Sequence, residues 1–291
     1  MHMKHFDGIF TALLTPFDQN DKINEKALRE LISMNIRMGV RGFYVSGSTA
    51  EAFLMTAEER REIFRIVRDA APEQTLIAHI GSIHEKEAEE LGLYTAELGY
   101  DAISSVAPFY YKFSFEEIKS YYFRLAERVG LPMLVYNFPA FSGVNLGFDQ
   151  FSEFLTSDLF LGVKHTSNDF FTLQRCKSAF PNKIIYNGFD EMFLSGLSMG
   201  ADGGIGSTYN FMADKFVAIQ KLFSEGKIAE AQAVQAEANR MIAVLTKVGV
   251  MQAEKEVLNQ MGLEFGVCRR PFCEPTDEQK ELIRREITSK L

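Results

Sequence analysis

Short runs of apolar residues recur along the chain at 8–14, 42–45, 75–80, 102–106, 133–136, 161–164, 184–186 and 203–205. Most are continuous rather than alternating, the pattern of parallel strands buried on both faces. Helix signals lie between them. Thr56-Ala57-Glu58-Glu59 and Ser114-Phe115-Glu116-Glu117 are capping boxes. In each, the hydroxyl accepts from an orphan backbone N–H and the glutamate three residues on reaches back. Residues 27–38 and 88–98 carry apolar positions at helical spacing and stop at Gly39 and Gly99, good residues just past a helix. Eight strand candidates, each followed by a helix or a short linker, predict a right-handed βαβ succession. A spacing of roughly 20–30 residues per unit fits a (β/α)8 barrel better than an open doubly wound sheet. The latter is also disfavoured because no Gly-x-Gly-x-x-Gly turn follows the first strand. Beyond Tyr209 the chain reads as helices at 215–225, 228–248, 251–261 and 277–289. The expected division is therefore a catalytic barrel over residues 1–225 and a helical extension over 226–291 packed on its outside.

Composition narrows the function classes. The 291 residues are 46% hydrophobic and 24% charged, ordinary for a globular protein. A net charge of −8 without a Lys/Arg cluster argues against nucleic acid as a partner. No apolar run approaches the ~18 residues of a membrane-spanning helix. Residues 1–7 are polar and lack the apolar core of a secretory signal. Cys176, Cys268 and Cys273 form a sparse, odd set without metal-ligand spacing. They are expected to be unligated thiols in a reducing, cytoplasmic setting.

A barrel carries its chemistry at the C-terminal ends of its strands. Here those ends read Gly47-Ser48-Thr49, Pro108-Phe109-Tyr110-Tyr111, Tyr136-Asn137, Lys164-His165-Thr166, Asn187-Gly188 and Gly206-Ser207. Lys164 closes an apolar run that belongs in the barrel wall, where desolvation disfavours the ammonium. Substantial free amine at neutral pH requires its pKa to fall by about 3 units from about 10.4, a change of about 4 kcal/mol. A neutral amine attacks a ketone to give an imine, and the protonated imine withdraws electrons from the neighbouring carbon bond. The alternative is a lysine that snorkels to solvent or pairs with a carboxylate. Tyr136 ends the preceding strand, about 4.8 Å away in a parallel pair, so both side chains can share one cavity. Its phenol either relays a proton or is a satisfied core hydroxyl. Ser48 and Thr49 offer hydroxyls and backbone N–H groups that suit a carboxylate, or simply form a capped turn. Asp190 and Glu191 either bind sugar hydroxyls or favour a helix start. The glycines of 203–206 lack the Gly-Lys-Ser/Thr ending of a phosphate loop. His79 lies inside a strand and is expected to be structural. His165 has no second ligand at metal spacing, and no metal signature or nucleophile elbow occurs.

Together these segments resemble the dihydrodipicolinate synthase/N-acetylneuraminate lyase family of class I aldolases, in the same order over nearly the whole chain. Gly47-Ser48-Thr49-Ala50-Glu51 is similar to the family's Gly-Ser-Thr-Gly-Glu motif, Tyr136-Asn137-Phe138-Pro139 to its Tyr-Asn-x-Pro motif, and Lys164 to its Schiff-base lysine. Residues 107–111, 113–117, 186–191 and 200–210 draw the resemblance toward the N-acetylneuraminate lyase branch. The resemblance implies reversible cleavage of open-chain N-acetylneuraminate, a sialic acid, to N-acetylmannosamine and pyruvate. Lys164 would form the imine, and Tyr136 would move the C4 hydroxyl proton. Ser48 and Tyr110 would support Tyr136, with Tyr110 supplied by a neighbouring subunit. Ser48 and Thr49 would hold the pyruvate carboxylate. Thr166, Gly188, Asp190, Glu191 and Ser207 would hold the sugar portion. It further implies a homotetramer and a reaction needing neither metal nor organic cofactor.

Dihydrodipicolinate synthases usually carry arginine where Phe141 stands, two residues past Pro139. A phenyl ring cannot make an arginine's bidentate bonds to a second carboxylate. Asp190 and Glu191 would repel such a group. Another keto-acid aldolase on this scaffold and a non-catalytic barrel that binds a sugar acid are the competing readings. Ala50 departs from the motif's glycine and is expected to cost about 1 kcal/mol if that backbone needs positive φ.

Overall fold

The computed structural model describes residues 5–291 of the chain. Among them, eight parallel strands run in sequence order: β1 (Gly8–Ala12), β2 (Gly42–Val45), β3 (Thr75–His79), β4 (Ala102–Val106), β5 (Met133–Asn137), β6 (Phe160–His165), β7 (Ile184–Asn187) and β8 (Gly203–Gly206). They close into a barrel, because β1 pairs with both β2 and β8. That closure removes the free edges an open doubly wound sheet would leave. The strands lie where the apolar runs fall, with ends moved by a residue or two.

The helices are α1 (Glu25–Arg37), α2 (Ala57–Ala70), α3 (Glu85–Glu97), α4 (Phe115–Val129), α5 (Pro139–Ser142), α6 (Phe148–Leu155), α7 (Phe170–Ala179), α8 (Phe193–Ser198), α9 (Tyr209–Ser224), α10 (Ile228–Val248), α11 (Val250–Gln260) and α12 (Asp277–Glu286). Both capping boxes form as the sequence predicts, with Thr56 and Ser114 each accepting from the backbone N–H of Glu59 and Glu117. Helix α9 begins at Tyr209, ahead of the expected 215. Its first turn is kinked at Met212 (φ −141°), which breaks the apolar period there.

Side chains alternate across each strand, so the barrel has two apolar regions. Outward residues such as Phe43, Val135 and Val163 pack against the helices. Inward residues including Phe10, Tyr44, Leu134, Tyr136, Tyr186 and Ile205 fill the barrel itself. Burial on both faces explains why the strands read as unbroken apolar runs.

Strand β6 contains an irregularity that decides the chemistry. Met133 lies opposite Phe160, but Leu134 lies opposite Gly162, so Leu161 is an extra residue. Beyond it, Tyr136 stands beside Lys164 rather than Val163. Residues side by side on parallel neighbours point to one face, so the extra residue turns the lysine inward next to the tyrosine. Gly162 permits the close approach, since a Cβ there would lie 1.7 Å from the carbonyl oxygen of Ile184.

Helix α10 runs along α9, and Gly249 (φ 118°) turns the chain sharply into α11. Lys255 on α11 forms a buried ion pair with Glu51 (2.6 Å), and its ammonium also donates to the Val267 carbonyl. The second Glu51 oxygen accepts from the backbone N–H of Arg269. The extension is thus tied by charge to the loop after β2. Removing one partner of a buried pair strands the other in a medium that cannot solvate it. Lys255→Met is accordingly expected to lower unfolding free energy by roughly 3–5 kcal/mol, read from urea denaturation.

Candidate active site

The C-terminal ends of the strands open into a cavity of about 470 Å³. Ser48, Thr49, Tyr136, Lys164, Thr166, Gly188, Asp190, Glu191 and Ser207 all line it. Of the residues to which the family resemblance gives a catalytic or binding role, Tyr110 stands elsewhere. It is 85% exposed, on the loop after β4, with its backbone in the left-handed region (φ 77°).

Lys164 is only 4% exposed. Its Nζ lies over the rings of Tyr44 and Tyr136, at 4.3 and 4.1 Å from their centroids. Those ring faces favour the ammonium, as does the charge of Asp190. Desolvation outweighs both and brings the amine down to about 7. Relative to water, this corresponds to a preference for the neutral form of about 5 kcal/mol. The snorkelling and ion-paired alternatives therefore do not describe this side chain.

The Tyr136 phenol is also buried, and burial pushes it well above its ordinary value. The neighbouring Ser48 and Thr166 hydroxyls favour the phenolate and partly offset that effect. Thr166 Oγ1 is itself buried and makes no hydrogen bond of good geometry. Around the lysine, β4, β5, β6 and β7 bring Val106, Tyr136, Lys164 and Tyr186 to one level of the barrel.

His79 is wholly buried. Its Nδ1 donates to the Ser46 carbonyl (2.9 Å) and its Nε2 accepts from the Val106 N–H (3.2 Å). With both nitrogens satisfied by backbone and its pKa held well below 6.5 by burial, it is a neutral structural imidazole. His165 donates from Nε2 to the Asp169 carbonyl. Among the described residues, no cluster of His, Cys, Asp and Glu is arranged to hold a metal ion.

Ser48 and Thr49 sit on a one-turn 3-10 helix, Ser48–Ala50. The left-handed residues of this loop are Ser46 (φ 61°) and Glu51 (φ 62°), on either side of Ala50. Ala50 itself is not at positive φ, so the expected alanine penalty does not arise. Arg60 on α2 holds the strand ends below the loop. Its guanidinium donates to Ser46 Oγ, to the Gly81 carbonyl and to the His79 carbonyl.

On the loop after β7, Asp190 Oδ2 accepts from the N–H (2.9 Å) and hydroxyl (2.7 Å) of Thr208. Asp190 Oδ1 is buried without a partner. Burial is the main reason that its pKa rises to about 6, with the nearby Glu191 adding to the rise. Gly206 leaves room for this carboxyl, since a Cβ there would meet Oδ1 at 1.9 Å. Glu191 is exposed at the rim. Phe141, 65% exposed, stacks on Phe138 with centroids 4.2 Å apart and presents no cation to the cavity. Sequence reasoning missed Tyr44, whose ring covers the lysine, and Glu254, whose carboxyl accepts from Ser207 Oγ (2.6 Å). Both lie in ordinary helix or strand patterns and carry no motif that marks them.

Residues 5–290 match the dihydrodipicolinate synthetase family. The chain belongs to that family. N-acetylneuraminate lyase of Actinobacillus pleuropneumoniae serotype 5b is 47% identical to it, covering 97% of this chain and 98% of the relative. N-acetylneuraminate lyase of Haemophilus influenzae is 45% identical, with 99% of each chain covered. Among solved structures, CdNal from Clostridium difficile in complex with mannosamine superposes with a TM-score of 0.95 at 44% identity, covering 98% of this chain and 99% of that one. N-acetylneuraminate lyase from Fusobacterium nucleatum complexed with pyruvate gives 0.93 at 41% identity, covering 98% and 97%. In family terms, the Gly-Ser-Thr-Ala-Glu loop, Tyr136 and Lys164 surround one cavity.

An amine that is half neutral near pH 7 has a distinctive reactivity profile. The ammonium cannot attack a carbonyl, so reductive trapping of pyruvate on Lys164 should rise about tenfold between about pH 6 and pH 8 and then level off. A rate still climbing steeply beyond about pH 9 would indicate an unperturbed lysine.

Proposed function

We propose that the chain catalyses reversible retro-aldol cleavage of open-chain N-acetylneuraminate to N-acetylmannosamine and pyruvate through a Schiff base on Lys164. The observation that carries this reading is the buried Lys164 amine beside the Tyr136 phenol, in one cavity lined by the hydroxyls of Ser48 and Thr49 and the acceptor oxygens of Asp190 and Glu191. The family membership and the lyases that cover almost the whole chain support it.

The Ser48 and Thr49 hydroxyls bind the substrate carboxylate. The neutral Lys164 amine adds to the C2 ketone, and loss of water with uptake of one proton from solvent leaves a protonated imine. Tyr136 takes the C4 hydroxyl proton as it passes its own proton to the substrate carboxylate, a relay suited to a phenol that stays protonated. The C3–C4 bonding pair moves into the imine, giving an enamine and releasing the aldehyde of N-acetylmannosamine. Protonation at C3 and hydrolysis then release pyruvate and the free amine. The iminium is the electron sink, so the step is written without a metal or an organic cofactor.

Thr166, Gly188, Asp190, Glu191 and Ser207 hold the polyol half. Phe141 in place of a cation, together with two carboxyls nearby, suits hydroxyl donors rather than a second carboxylate. The active form is a homotetramer in which Tyr110 completes the relay of a neighbouring copy. Its exposure, left-handed backbone and packing against Tyr111 (5.1 Å between centroids) support a role outside its own cavity. Of the described residues, 5–225 form the catalytic barrel and 226–291 the helical extension; residues 1–4 of the expected 1–225 division lie outside the described residues. Cys176, Cys268 and Cys273 are all unpaired, which favours a cytoplasmic setting.

Borohydride reduction with pyruvate should add one pyruvate-derived group at Lys164, located by mass spectrometry, and Lys164→Met should take up none. Tyr136→Phe should still be trapped but should release pyruvate from sialic acid at least roughly 100-fold more slowly. Faster release from a 2-keto-3-deoxy acid than from sialic acid would reassign the substrate. Binding without turnover would make the barrel a sensor.

A further inference from the structure

Glu254 is the least expected residue of the molecule. It lies on α11, in the helical extension, with no exposed surface. A leucine would fill such a position without any polar group to satisfy. The carboxyl instead reaches behind Ser207, where Oε1 accepts from Ser207 Oγ at 2.6 Å. Its other oxygen, Oε2, is buried without a hydrogen-bond partner, as are Asp190 Oδ1 and Thr166 Oγ1 around the cavity. Burial of an under-satisfied acid is unfavourable for folding, so its retention at the back of a site points to work done there.

The direction of the short bond defines that work. Ser207 donates to Oε1, so the proton of the neutral acid belongs on the partnerless Oε2, and the Ser207 lone pairs stay free to accept from something else. Asp190 is also an acceptor, because Thr208 donates twice to Oδ2, while Oδ1, beside the buried Tyr209 ring, makes no hydrogen bond of good geometry. This wall of the cavity is therefore built of acceptors and matches a ligand that presents hydroxyl hydrogens. We propose that Glu254 is a positioning residue, which orients the Ser207 hydroxyl to accept from a hydroxyl of the substrate's polyol half. The proposal rests on the lyase reading above and adds a determinant supplied by the extension.

The ionisation state of Glu254 gives the proposal a second readout. Burial raises its carboxyl to about 8, helped by the nearby charge of Asp190 and opposed by the Ser207 hydrogen bond. The titratable groups facing it are Asp190 from the loop after β7 and the Cys268 thiol, with the Glu51–Lys255 pair beyond. Substrate in the cavity excludes water further and so disfavours the ionised carboxyl. Binding therefore prefers the protonated acid, and KM for sialic acid should rise as pH passes about 8.

The test uses full-length Glu254→Leu, Glu254→Gln, Ser207→Ala and the double variant Ser207→Ala/Glu254→Leu. Glu254→Leu should raise KM for N-acetylneuraminate about tenfold. Pyruvate trapping on its Lys164 should match that of the parent enzyme. Glu254→Gln, which keeps an acceptor oxygen, should recover most of that loss and abolish the rise in KM above about pH 8. The double variant should bind no worse than Ser207→Ala, since the glutamate acts through the serine. The proposal is overturned by an unchanged KM in Glu254→Leu, by additive losses in the double variant, or by trapping that falls along with affinity. Should Glu254→Leu fail to fold, Glu254→Gln decides alone, and retention of the parent pH profile overturns the proposal. Failure of the parent enzyme to form a pyruvate adduct would instead overturn the lyase reading, independently of Glu254.

Discussion

Desolvation inside the barrel mouth governs both the stability and the chemistry of this site. A medium that cannot solvate ions disfavours charge of either sign. It brings the Lys164 ammonium down to about 7 and pushes the Asp190 and Glu254 carboxyls up to about 6 and 8. One environment thus keeps the amine nucleophilic and restrains the carboxyl that would otherwise hold it as an ammonium. The aromatic faces of Tyr44 and Tyr136 pull the other way, yet their attraction is smaller than the loss of water.

That balance depends on architecture. An inward-facing lysine at the end of a barrel strand sits above a packed interior and below loops that close over it. The interior beneath it is filled by Phe10, Tyr44, Leu134 and Tyr186, so water has no path from below. Above, Gly249, Val250, Met251 and Gln252 at the start of α11 form part of the cavity lining. The helical extension is therefore part of the site's wall, and the buried Lys255–Glu51 pair secures it to the Gly-Ser-Thr-Ala-Glu loop. Left-handed Ser46 and Glu51 bracket this loop, and Arg60 ties Ser46 Oγ to the Gly81 and His79 carbonyls below it.

The polar lining divides the cavity by function. The Ser48 and Thr49 hydroxyls come from the loop after β2, the acceptors Asp190 and Ser207 from the loops after β7 and β8, and the phenol and amine from β5 and β6. A molecule carrying a carboxylate, a ketone and a run of hydroxyls in that order matches this sequence of groups. Phe141 at the rim leaves a second carboxylate without a counter-charge, the physical basis for preferring a polyol.

Much of this was legible in the residues alone. Continuous apolar runs at regular spacing define buried parallel strands, and two capping boxes mark helix starts, because both signals are local. Lys164 and Tyr136 stood out because polar groups ending apolar runs are rare and their motif is specific. Three decisions belong to the tertiary structure. The extra residue in β6 makes Lys164 and Tyr136 true neighbours, and register is a property of two strands, not of one. Ala50 is unstrained because Ser46 and Glu51 carry the left-handed turns, which only backbone geometry reveals. Glu254 reaches Ser207 from a helix 47 residues further along the chain. No local pattern encodes such a contact, since the burial that gives the carboxyl its chemistry arises only when distant segments exclude water together.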